Sequence, residues 1–403
     1  MMFANLSTLV LSVILYQGRN LVVKADRSVC ETSEDSECVS EGMVEDESSS
    51  NERLDIANWI QSEGGFVDPR QEIRSIFPDM PQSPKGVFAK ERIEKGDLLL
   101  SVPWKLLIRA DRNEEENEDP NEISDDWYCG LVQSLAGEMT KGDDSAHAPY
   151  IRYLNGQTRG QILADYSEEA QKFFQDTVNP VMPWFLLDIV PSDESLEDAC
   201  GIENDPIAVH ASVLVEQRSE DDLMVPYYDM YNHRNGKWLN TWINQVRGER
   251  FDVIARKTIE AGQEIYNSYN QCNKCSGKAQ RFEMGTIHIF EAYGFVESFP
   301  QRWFFGTDLK FDLDEQVGGT TDDQLKVSWS NMEDLPVEED ADYLEEMIDH
   351  IKSLKQSYGI EDFSYMTKSE WDSISYFQDA LLVALENAYL SASDISKGGN
   401  GYY

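Results

Sequence analysis

Three short segments in the second half of the chain constrain its fold more than any other feature. The first is Asp229-Met-Tyr-Asn-His233; Tyr269 follows 36 residues after His233, and Tyr293-Gly-Phe295 comes next. Together they provide polar groups for a small ligand, one phenol for chemistry and aromatic walls. We expect the fold to bring these segments together, because none of them could form a site alone.

The bulk composition predicts a folded and strongly acidic protein. The chain has 403 residues, 41% of them hydrophobic, which is enough for a large core or for two domains. It carries 75 acidic and 34 basic residues, so its formal net charge is −41. This charge repels nucleic-acid phosphates, and we expect no nucleic-acid partner. It would attract a lysine-rich partner, although solubility alone explains it equally well.

The N-terminus has the features of a secretory signal. Residues 6–16 form an apolar run of 11 residues, which is too short to span a bilayer. Val23-Lys-Ala25 then places small residues as a signal peptidase requires. We predict a signal peptide at 1–25 and a location in the secretory pathway or endomembrane lumen, with a buried helix or a signal anchor as the alternative. The Ser-, Glu- and Asp-rich segment 26–52 is predicted to be disordered.

The hydrophobic pattern predicts both helices and short strands in the first half of the chain. Residues 54–60 have the spacing of a short amphipathic helix, and 86–102 that of two strands around a glycine turn. An acidic loop at 111–122 leads into a helical stretch from 127 to about 188.

The second half alternates between strand and helix patterns. Period-two alternation predicts strands within 238–246 and 251–255, and the stretch 280–293 is predicted to be helical. Two apolar stripes at helical spacing run along 344–354 and 371–388. We assign both stripes to packing surfaces rather than to a cofactor site.

Several motifs of nucleotide and metal sites are absent from the sequence. It has no P-loop lysine, no glycine-rich dinucleotide motif after a strand and no Gly-x-Ser-x-Gly segment. None of its five histidines forms the i, i+4 pair of a helical zinc site. Cys272 and Cys275 form a C-x-x-C pair, for which we favour free thiols or a disulfide. Zinc is the second alternative and would require Cys129, Cys200 or His210 to join them; no residue is assigned as a metal ligand.

Eight motifs in a fixed order resemble those of SET-domain methyltransferases. They are Lys85-Gly-Val-Phe-Ala89, Ile93-x-x-Gly96, Ser101-Val-Pro103, Ala148-Pro-Tyr-Ile-Arg152, Asp229-x-x-Asn-His233, Ile259-x-x-Gly-x-Glu-Ile265, Ser268-Tyr269 and Tyr293-Gly-Phe-Val296. The chain looks most similar to the branch typified by the Rubisco large-subunit lysine methyltransferase and the actin-histidine methyltransferase. Each motif is weak alone, but eight in order make a chance match improbable.

The resemblance implies an α+β fold: small SET-domain sheets with a pseudoknot, split by a helical insert and followed by a helical C-terminal domain. The SET domain would occupy 54–109 and 223–298, with the active site in the second part. The insert would span 110–222. A helical substrate-binding region would occupy 299–403.

The resemblance also implies roles for individual residues. Tyr269 would be the catalytic tyrosine, with its hydroxyl near the transferred methyl group, and Asp229 would face the substrate amine. S-Adenosylmethionine would be held by six residues: Lys85, Gly86, Val87, Asn232, His233 and Phe295. Asp229 and Phe295 are equally compatible with simple packing. Arg218 lies only 14 residues before Asn232, and we favour no cofactor role for it.

The function implied is transfer of a methyl group from S-adenosylmethionine to a lysine amine of a protein substrate, which we expect to be basic. Two alternatives are methylation of a histidine and a catalytically silent SET-like module that binds a basic protein. We expect no integral membrane protein once the signal is cleaved. The alternative is a plastid location, reached through a signal peptide followed by a transit peptide. The residues after Ala25 are acidic, however, and transit peptides contain few acidic residues.

Overall fold

The computed structural model describes most of the chain from residue 47 onwards. The described residues are 47–77, 84–110, 127–157, 159–181, 196, 200–202, 205–270, 285–305, 309–315, 325–330, 336–357 and 366–396. The predicted signal peptide at 1–25, the pair Cys272 and Cys275, and most of the acidic segment 26–52 lie outside them. No helix in the described ranges is long and apolar enough to cross a membrane.

Eight α-helices and fourteen short strands are found in the described residues. The helices are α1 (Glu47–Ser62), α2 (Trp127–Lys141), α3 (Ala148–Asn155), α4 (Glu168–Val178), α5 (Pro206–Arg218), α6 (Thr286–Tyr293), α7 (Glu338–Ser357) and α8 (Lys368–Ser396). The strands are β1 (Phe66–Val67), β2 (Gln71–Ser75), β3 (Lys85–Ala89), β4 (Leu98–Pro103), β5 (Ile108–Arg109), β6 (Ser219–Glu220), β7 (Leu223–Met224), β8 (Asn232–His233), β9 (Thr241–Val246), β10 (Arg250–Ala255), β11 (Tyr266–Asn267), β12 (Gln301–Phe305), β13 (Leu309–Glu315) and β14 (Leu325–Trp329).

The largest sheet has four strands in the order β1-β4-β10-β9. Phe251 pairs with Val102 and Val253 pairs with Leu100, so alternate residues of both strands face the core and are fully buried. The two predicted strands within 86–102 exist as β3 and β4, but they do not pair with each other. Strand β3 pairs with β2, whereas β4 pairs with β1 and β10.

The strand predicted within 238–246 begins only at Thr241. Before it, Asn240 uses its side chain to bridge to another part of the chain: its Nδ2 donates to the Glu264 carbonyl at 2.8 Å, and its Oδ1 accepts from the Tyr266 N–H at 2.7 Å. These bonds hold β11 beside the start of β9. Strand β11 also pairs in parallel with β8, with Tyr266 opposite Asn232.

The insert is helical, as predicted, but the stretch predicted from 127 to about 188 contains three separate helices. Helix α2 ends where Gly142 adopts a φ of +54°, and α3 restarts with Pro149 in its first turn. Ser167 begins α4 by accepting a hydrogen bond from the Ala170 N–H. Residues 182–188 lie outside the described part. A disulfide joins Cys129 of α2 to Cys200, shortly before α5.

The C-terminal region predicted to be helical at 299–403 contains two long helices, but its first part is a sheet. It begins with an antiparallel sheet of β12, β13 and β14, and the helices α7 and α8 follow. Trp303, Phe311 and Leu313 are fully buried in this sheet. The two helical stripes are confirmed, because Leu344 and Ile351 of α7 and Ile374 and Leu381 of α8 are fully buried.

Two apolar cores divide the described residues. The first unites the four-stranded sheet with α1, α2, α3 and α5. The second joins α4 and α6 to the C-terminal sheet and to α7 and α8. Helix α1 begins at Glu47, so residues 47–52 of the segment predicted to be disordered are helical. Ile56 and Ile60 on its second half are fully buried in the first core.

Candidate active site

A cavity of about 240 Å³ opens where the second half of the SET-like segment meets the helical insert. Its lining contains five of the residues predicted for the site: Lys85, Asp229, Asn232, Tyr269 and Phe295. The strands β8 and β11 explain this arrangement. They run side by side in parallel, so the residues that follow β11 come to lie beside those of β8. The fold therefore brings together all three segments singled out in the sequence.

Asn232 is fixed at the edge of this cavity by both hydrogens of its amide. Its Nδ2 donates to the Lys85 carbonyl at 3.0 Å and to Glu264 Oε1 at 2.7 Å. Gly86 makes room for this pair, since a Cβ there would lie 2.2 Å from Glu264 Oε1 and 2.8 Å from Asn232 Nδ2. The side chains of Glu264 and Asn232 thus occupy the space that a side chain at position 86 would need.

The phenol of Tyr269 points to a main-chain carbonyl. Its hydroxyl donates to the Tyr231 carbonyl oxygen at 2.9 Å. The ring lies 4.7 Å from that of Tyr293 between centroids, and Phe295 meets it edge-on at 6.5 Å. Burial raises the pKa of Tyr269 above the ordinary value for a phenol, although the nearby Arg218 guanidinium lowers it in part. The hydroxyl is therefore a hydrogen-bond donor at neutral pH and not a base.

His233 and Val87 do not line the cavity. The side chain of His233 is 1% exposed, accepts the Tyr269 N–H at Nδ1 at 2.9 Å, and lies with Nε2 2.7 Å from Glu297. Val87 is fully buried, and its carbonyl accepts the N–H of Ile265. The side chains of these two residues thus support the walls of the site, and the cofactor contacts of both residues stay predictions.

Arg218 lies in the cavity, although the sequence analysis disfavoured it. Its Nη1 donates to the Tyr153 hydroxyl at 3.0 Å and to Asp229 Oδ2 at 3.2 Å, and its Nη2 donates to Gln157 Oε1 at 2.7 Å. Its Nε is buried and has no hydrogen-bond partner among the described residues. Burial would lower the pKa of Arg218, but the neighbouring Tyr153 and Asp229 raise it further, so the guanidinium stays charged.

Asp229 forms an ion pair with Arg218, which the sequence analysis did not predict. Its carboxylate is fully buried, pairs with Arg218 and accepts a hydrogen bond from the Tyr150 hydroxyl at 3.1 Å. We expected it to face a substrate amine. In the structure it orients the guanidinium of Arg218 and balances its charge inside the cavity, and the contact with a substrate amine stays a prediction.

The insert contributes four further lining residues that sequence reasoning missed: Tyr153, Gln157, Gln161 and Gln217. Tyr153 and Gln157 lie at and just beyond the end of α3, four residues apart, so they reach the cavity from one face. The sequence carried one usable signal, because Tyr153 directly follows the Ala148–Arg152 motif. Nothing in the sequence places that motif near Asn232.

A larger cavity of about 760 Å³ lies between β5 and α2 and shares no lining residue with the first. Its lining includes Trp104 and several cations. Two of these cations are already neutralised: Lys141 lies 2.6 Å from Glu138, and Arg247 lies 2.7 Å from Asp222. None of the predicted site residues lines this cavity, so the smaller one is the candidate active site.

The described residues offer no metal centre. No group of three or more His, Cys, Asp or Glu side chains in these ranges could hold a metal ion. Cys129 and Cys200 are joined to each other, which removes them as zinc ligands for the C-x-x-C pair.

Comparison with known proteins agrees with this geometry. Residues 85–270 match the family model described as SET domain. They contain the strands β3 to β11, and with them Asn232 and Tyr269. The match identifies this segment, slightly less than half of the chain, as a SET domain.

Among individual proteins, the N-lysine methyltransferase setd6 of Xenopus tropicalis is 23% identical over 310 residues, which cover 67% of this chain and 63% of that protein. The chain therefore matches less than two thirds of that relative. The structure of Rubisco LSMT bound to AdoMet covers 86% of this chain and 92% of its own at 14% identity, with a TM-score of 0.49. The SET domain of LSMT bound to lysine and AdoHcy covers 84% and 76% at 16% identity, with a TM-score of 0.43.

Proposed function

We propose that this chain is an S-adenosylmethionine-dependent protein methyltransferase that modifies a lysine side-chain amine. One observation carries the proposal. Within a segment that matches the SET domain, Asn232 and Tyr269 line a single cavity together with Phe295 and a buried arginine. The name of the matched relative, an N-lysine methyltransferase, supports lysine as the target.

The residues of the cavity fit the chemical groups of S-adenosylmethionine. The Arg218 guanidinium suits a carboxylate, because its Nε has no hydrogen-bond partner in the part of the chain that the structure describes. The aromatic rings of Tyr153, Tyr293 and Phe295 suit an adenine and a sulfonium. The volume of about 240 Å³ is slightly below the ~300–1,000 Å³ of typical small-molecule sites. Lys85 and Asn232 would hold the cofactor from the strand side, opposite the insert.

The cofactor, when bound, supplies a methyl group already activated by the sulfonium charge. The protein then needs neither a strong base nor a covalent intermediate. Its residues have to align the reacting atoms and present oriented dipoles in place of water. Tyr269 meets this requirement, because its buried hydroxyl stays protonated and is oriented by the Tyr231 carbonyl. Arg218 and Asp229 would fix one end of the cofactor.

Calorimetric titration with S-adenosylmethionine tests this proposal. We expect Asn232→Ala to weaken binding, because the variant loses the bonds to Lys85 and Glu264 that shape the cavity edge. Asn244→Ala, on the exposed part of β9, is the matched control and should bind like the wild type. Absence of binding by the wild-type protein at millimolar cofactor would contradict the proposal and favour a silent binding module.

Tyr269→Phe separates binding from chemistry. The ring and its contacts remain, so we expect cofactor affinity within about threefold of wild type, while methyl transfer falls on the order of 100-fold. The assay is transfer of labelled methyl from the cofactor into a protein mixture, followed by mass spectrometry of the labelled residue. Label on lysine supports the proposal, and label on histidine alone would replace lysine as the target.

We also propose that the protein substrate is basic, because the net charge of −41 attracts lysine-rich surfaces at moderate salt and repels nucleic acid. Transfer to a lysine-rich protein should fall steeply as salt is raised. Transfer to a short neutral peptide from the same protein should change little. Equal salt dependence of the two would contradict this part of the proposal.

A location in the secretory pathway or endomembrane lumen is proposed as well. The predicted signal at 1–25 supports it, and so does the disulfide between Cys129 and Cys200, since disulfides persist in oxidising compartments. Mass spectrometry of the protein from its own cells tests this. We expect an N-terminus near Asp26 and blocked thiols at both cysteines. A retained N-terminus with two free thiols would contradict it.

A further inference from the structure

Glu297 is a buried acid that the proposed chemistry does not use. It is 1% exposed and lies two residues after Phe295, beyond the segment that matches the SET domain. Its Oε2 is 2.7 Å from His233 Nε2 and accepts from Asn235 Nδ2 at 2.8 Å. Its Oε1 accepts from the Thr286 hydroxyl at 2.7 Å. A buried carboxylate with three donors indicates a specific structural role for this side chain.

The hydrogen bonds around His233 define its tautomer. The main-chain N–H of Tyr269 donates to Nδ1 at 2.9 Å, so Nδ1 has to be the unprotonated acceptor. The ring hydrogen is then on Nε2, which donates a hydrogen bond to Glu297 Oε2. The opposite tautomer would set two N–H groups against each other at Tyr269. Glu297 therefore selects the form of His233 that can hold Tyr269.

A second path leads from the same oxygen to the neighbouring residue. Asn235 Nδ2 donates to Glu297, and its Oδ1 accepts from the Ser268 hydroxyl at 2.8 Å. Asn235 is fully buried. One carboxylate oxygen thus fixes both Ser268, through Asn235, and Tyr269, through His233.

We propose that Glu297 is a positioning residue for Tyr269, which acts by fixing the His233 tautomer and the Asn235 side chain. The effect of Glu297 on catalysis rests on the proposed function, whereas the tautomer of His233 does not. The Glu297 carbonyl also accepts from Gln301 Nε2 at 2.7 Å, and Gln301 Oε1 accepts from Trp303 Nε1 at 3.1 Å. Glu297 therefore ties the C-terminal sheet to the active site.

Nuclear magnetic resonance of protein labelled with ¹⁵N-histidine tests the tautomer without any activity. The His233→Gln variant identifies the His233 signals among the five histidines. In the wild-type protein we expect a protonated Nε2 and an unprotonated Nδ1. A protonated Nδ1 in the neutral ring would overturn the proposal, and this outcome requires no variant of Glu297 to fold.

Three variants then test the effect on methyl transfer. Glu297→Gln keeps an acceptor oxygen for His233 and Asn235, so it should retain both the tautomer and near wild-type kcat. Glu297→Leu removes the acceptors, and we expect kcat to fall about 10- to 100-fold at saturating cofactor. Thr286→Val is the matched control, since it removes only the bond to Oε1 and should leave kcat within about threefold.

The binding constant for the cofactor separates positioning from general damage. We expect Glu297→Leu to bind S-adenosylmethionine within about threefold of wild type, because His233, Asn235 and Ser268, whose hydrogen bonds it disturbs, do not line the cavity. An unchanged kcat in Glu297→Leu, or failure of Glu297→Gln to rescue it, would overturn the proposal. If the tautomer is as expected but the wild-type protein transfers no methyl group, the proposed function fails and the assignment of the hydrogen bonds stands.

Discussion

At the scale of single residues, hydrogen bonds set the site more than packing does. Asn232 is held through Lys85 and Glu264, Tyr269 through the Tyr231 carbonyl, and Arg218 through Asp229. Each of these bonds joins positions that are distant in the chain or lie in different elements. Small changes in side-chain volume beside them should therefore alter ligand binding more than stability.

Gly86→Ala tests this directly. The new Cβ would lie 2.2 Å from Glu264 Oε1 and 2.8 Å from Asn232 Nδ2, so the pair has to move away from the cavity edge. We expect cofactor affinity to fall about tenfold or more, which corresponds to about 1.4 kcal/mol. Calorimetry measures it.

Gly137→Ala, in helix α2, is the control for that substitution. Among the described residues, no atom from outside its own helical turn lies within 4 Å of the position that the new methyl group would take. The change should therefore leave affinity unaltered and stabilise the fold by about 0.5–1 kcal/mol. Equal affinity in the two variants would contradict the account of Gly86.

Glu220 gives the protein a specific pH dependence. Burial raises its pKa from the ordinary 4.5 to about 7, although a hydrogen bond from the Tyr228 hydroxyl at 2.8 Å opposes this. The folded state therefore holds a proton that the unfolded state releases near pH 4.5, so this residue's contribution to stability is lost as the pH rises from about 4.5 to 7.

Glu220→Gln should remove that loss, because a glutamine has no proton to release. Relative to wild type, we expect the variant to gain on the order of 2 kcal/mol between pH 5 and pH 8. Urea unfolding of both proteins at the two pH values measures it. A difference between the proteins that does not vary with pH would contradict the assignment.

At the scale of elements, the sequence indicated most helices and strands but not all of their partners. The period-two pattern located β10, and the helical stripes located α7 and α8. The sequence did not show that β3 and β4 belong to different sheets, because their pairing depends on β1, β2 and β10 elsewhere in the chain. Strands β12 to β14 were missed because the C-terminal region was judged on its helical stripes alone.

The residues of the site also divide into those that the sequence indicated and those that it did not. Asn232, Tyr269 and Phe295 were found because each lies in a recognisable motif. Arg218 was missed because the hairpin of β6 and β7 folds back between it and Asn232, so a short sequence separation concealed a cavity contact. Glu297 was missed because a lone acid after a helix usually lies in solvent, and its burial depends on α6 and β12.

The buried ion pair between β12 and β13 tests the C-terminal sheet. Arg302 and Asp312 are direct cross-strand partners, bonded at 2.7 and 3.1 Å, and their side chains are 6% and 2% exposed. Asp312→Ala leaves a buried guanidinium without this partner and should destabilise the fold by about 3–5 kcal/mol. Glu386→Ala breaks the exposed pair with Lys352 and should change stability by less than about 1 kcal/mol. Similar losses in the two variants, measured by denaturant unfolding, would contradict the burial described.

At the scale of the whole molecule, a disulfide links two parts of the helical insert, and a shared apolar core joins the insert to the SET domain. The disulfide from Cys129 to Cys200 closes a loop with a sequence separation of 71. Because α5 lies just beyond Cys200 and ends at Arg218, the disulfide stabilises the element that places this arginine in the cavity. The second core continues from α4 and α6 into the C-terminal sheet and helices, so the C-terminal region packs on the same framework.

Reduction of this disulfide should lower the stability of the protein. The chain-entropy treatment of cross-links gives about 4 kcal/mol for a loop of this size. We expect reductant to lower the melting temperature of the wild-type protein. It should not lower that of a Cys129→Ser, Cys200→Ser double variant, which retains the other cysteines. If reductant lowers the melting temperature of both proteins equally, the effect comes from other cysteines and not from the Cys129–Cys200 disulfide.

The central claim is that the cofactor occupies the cavity of Asn232, Tyr269, Phe295 and Arg218. A crystal structure of the protein with S-adenosylhomocysteine tests it most directly. We expect the ligand between Phe295 and Arg218, with its sulfur facing the Tyr269 hydroxyl. Ligand density in the larger cavity beside Trp104, or none at saturating ligand in crystals that leave both cavities open, would contradict the account.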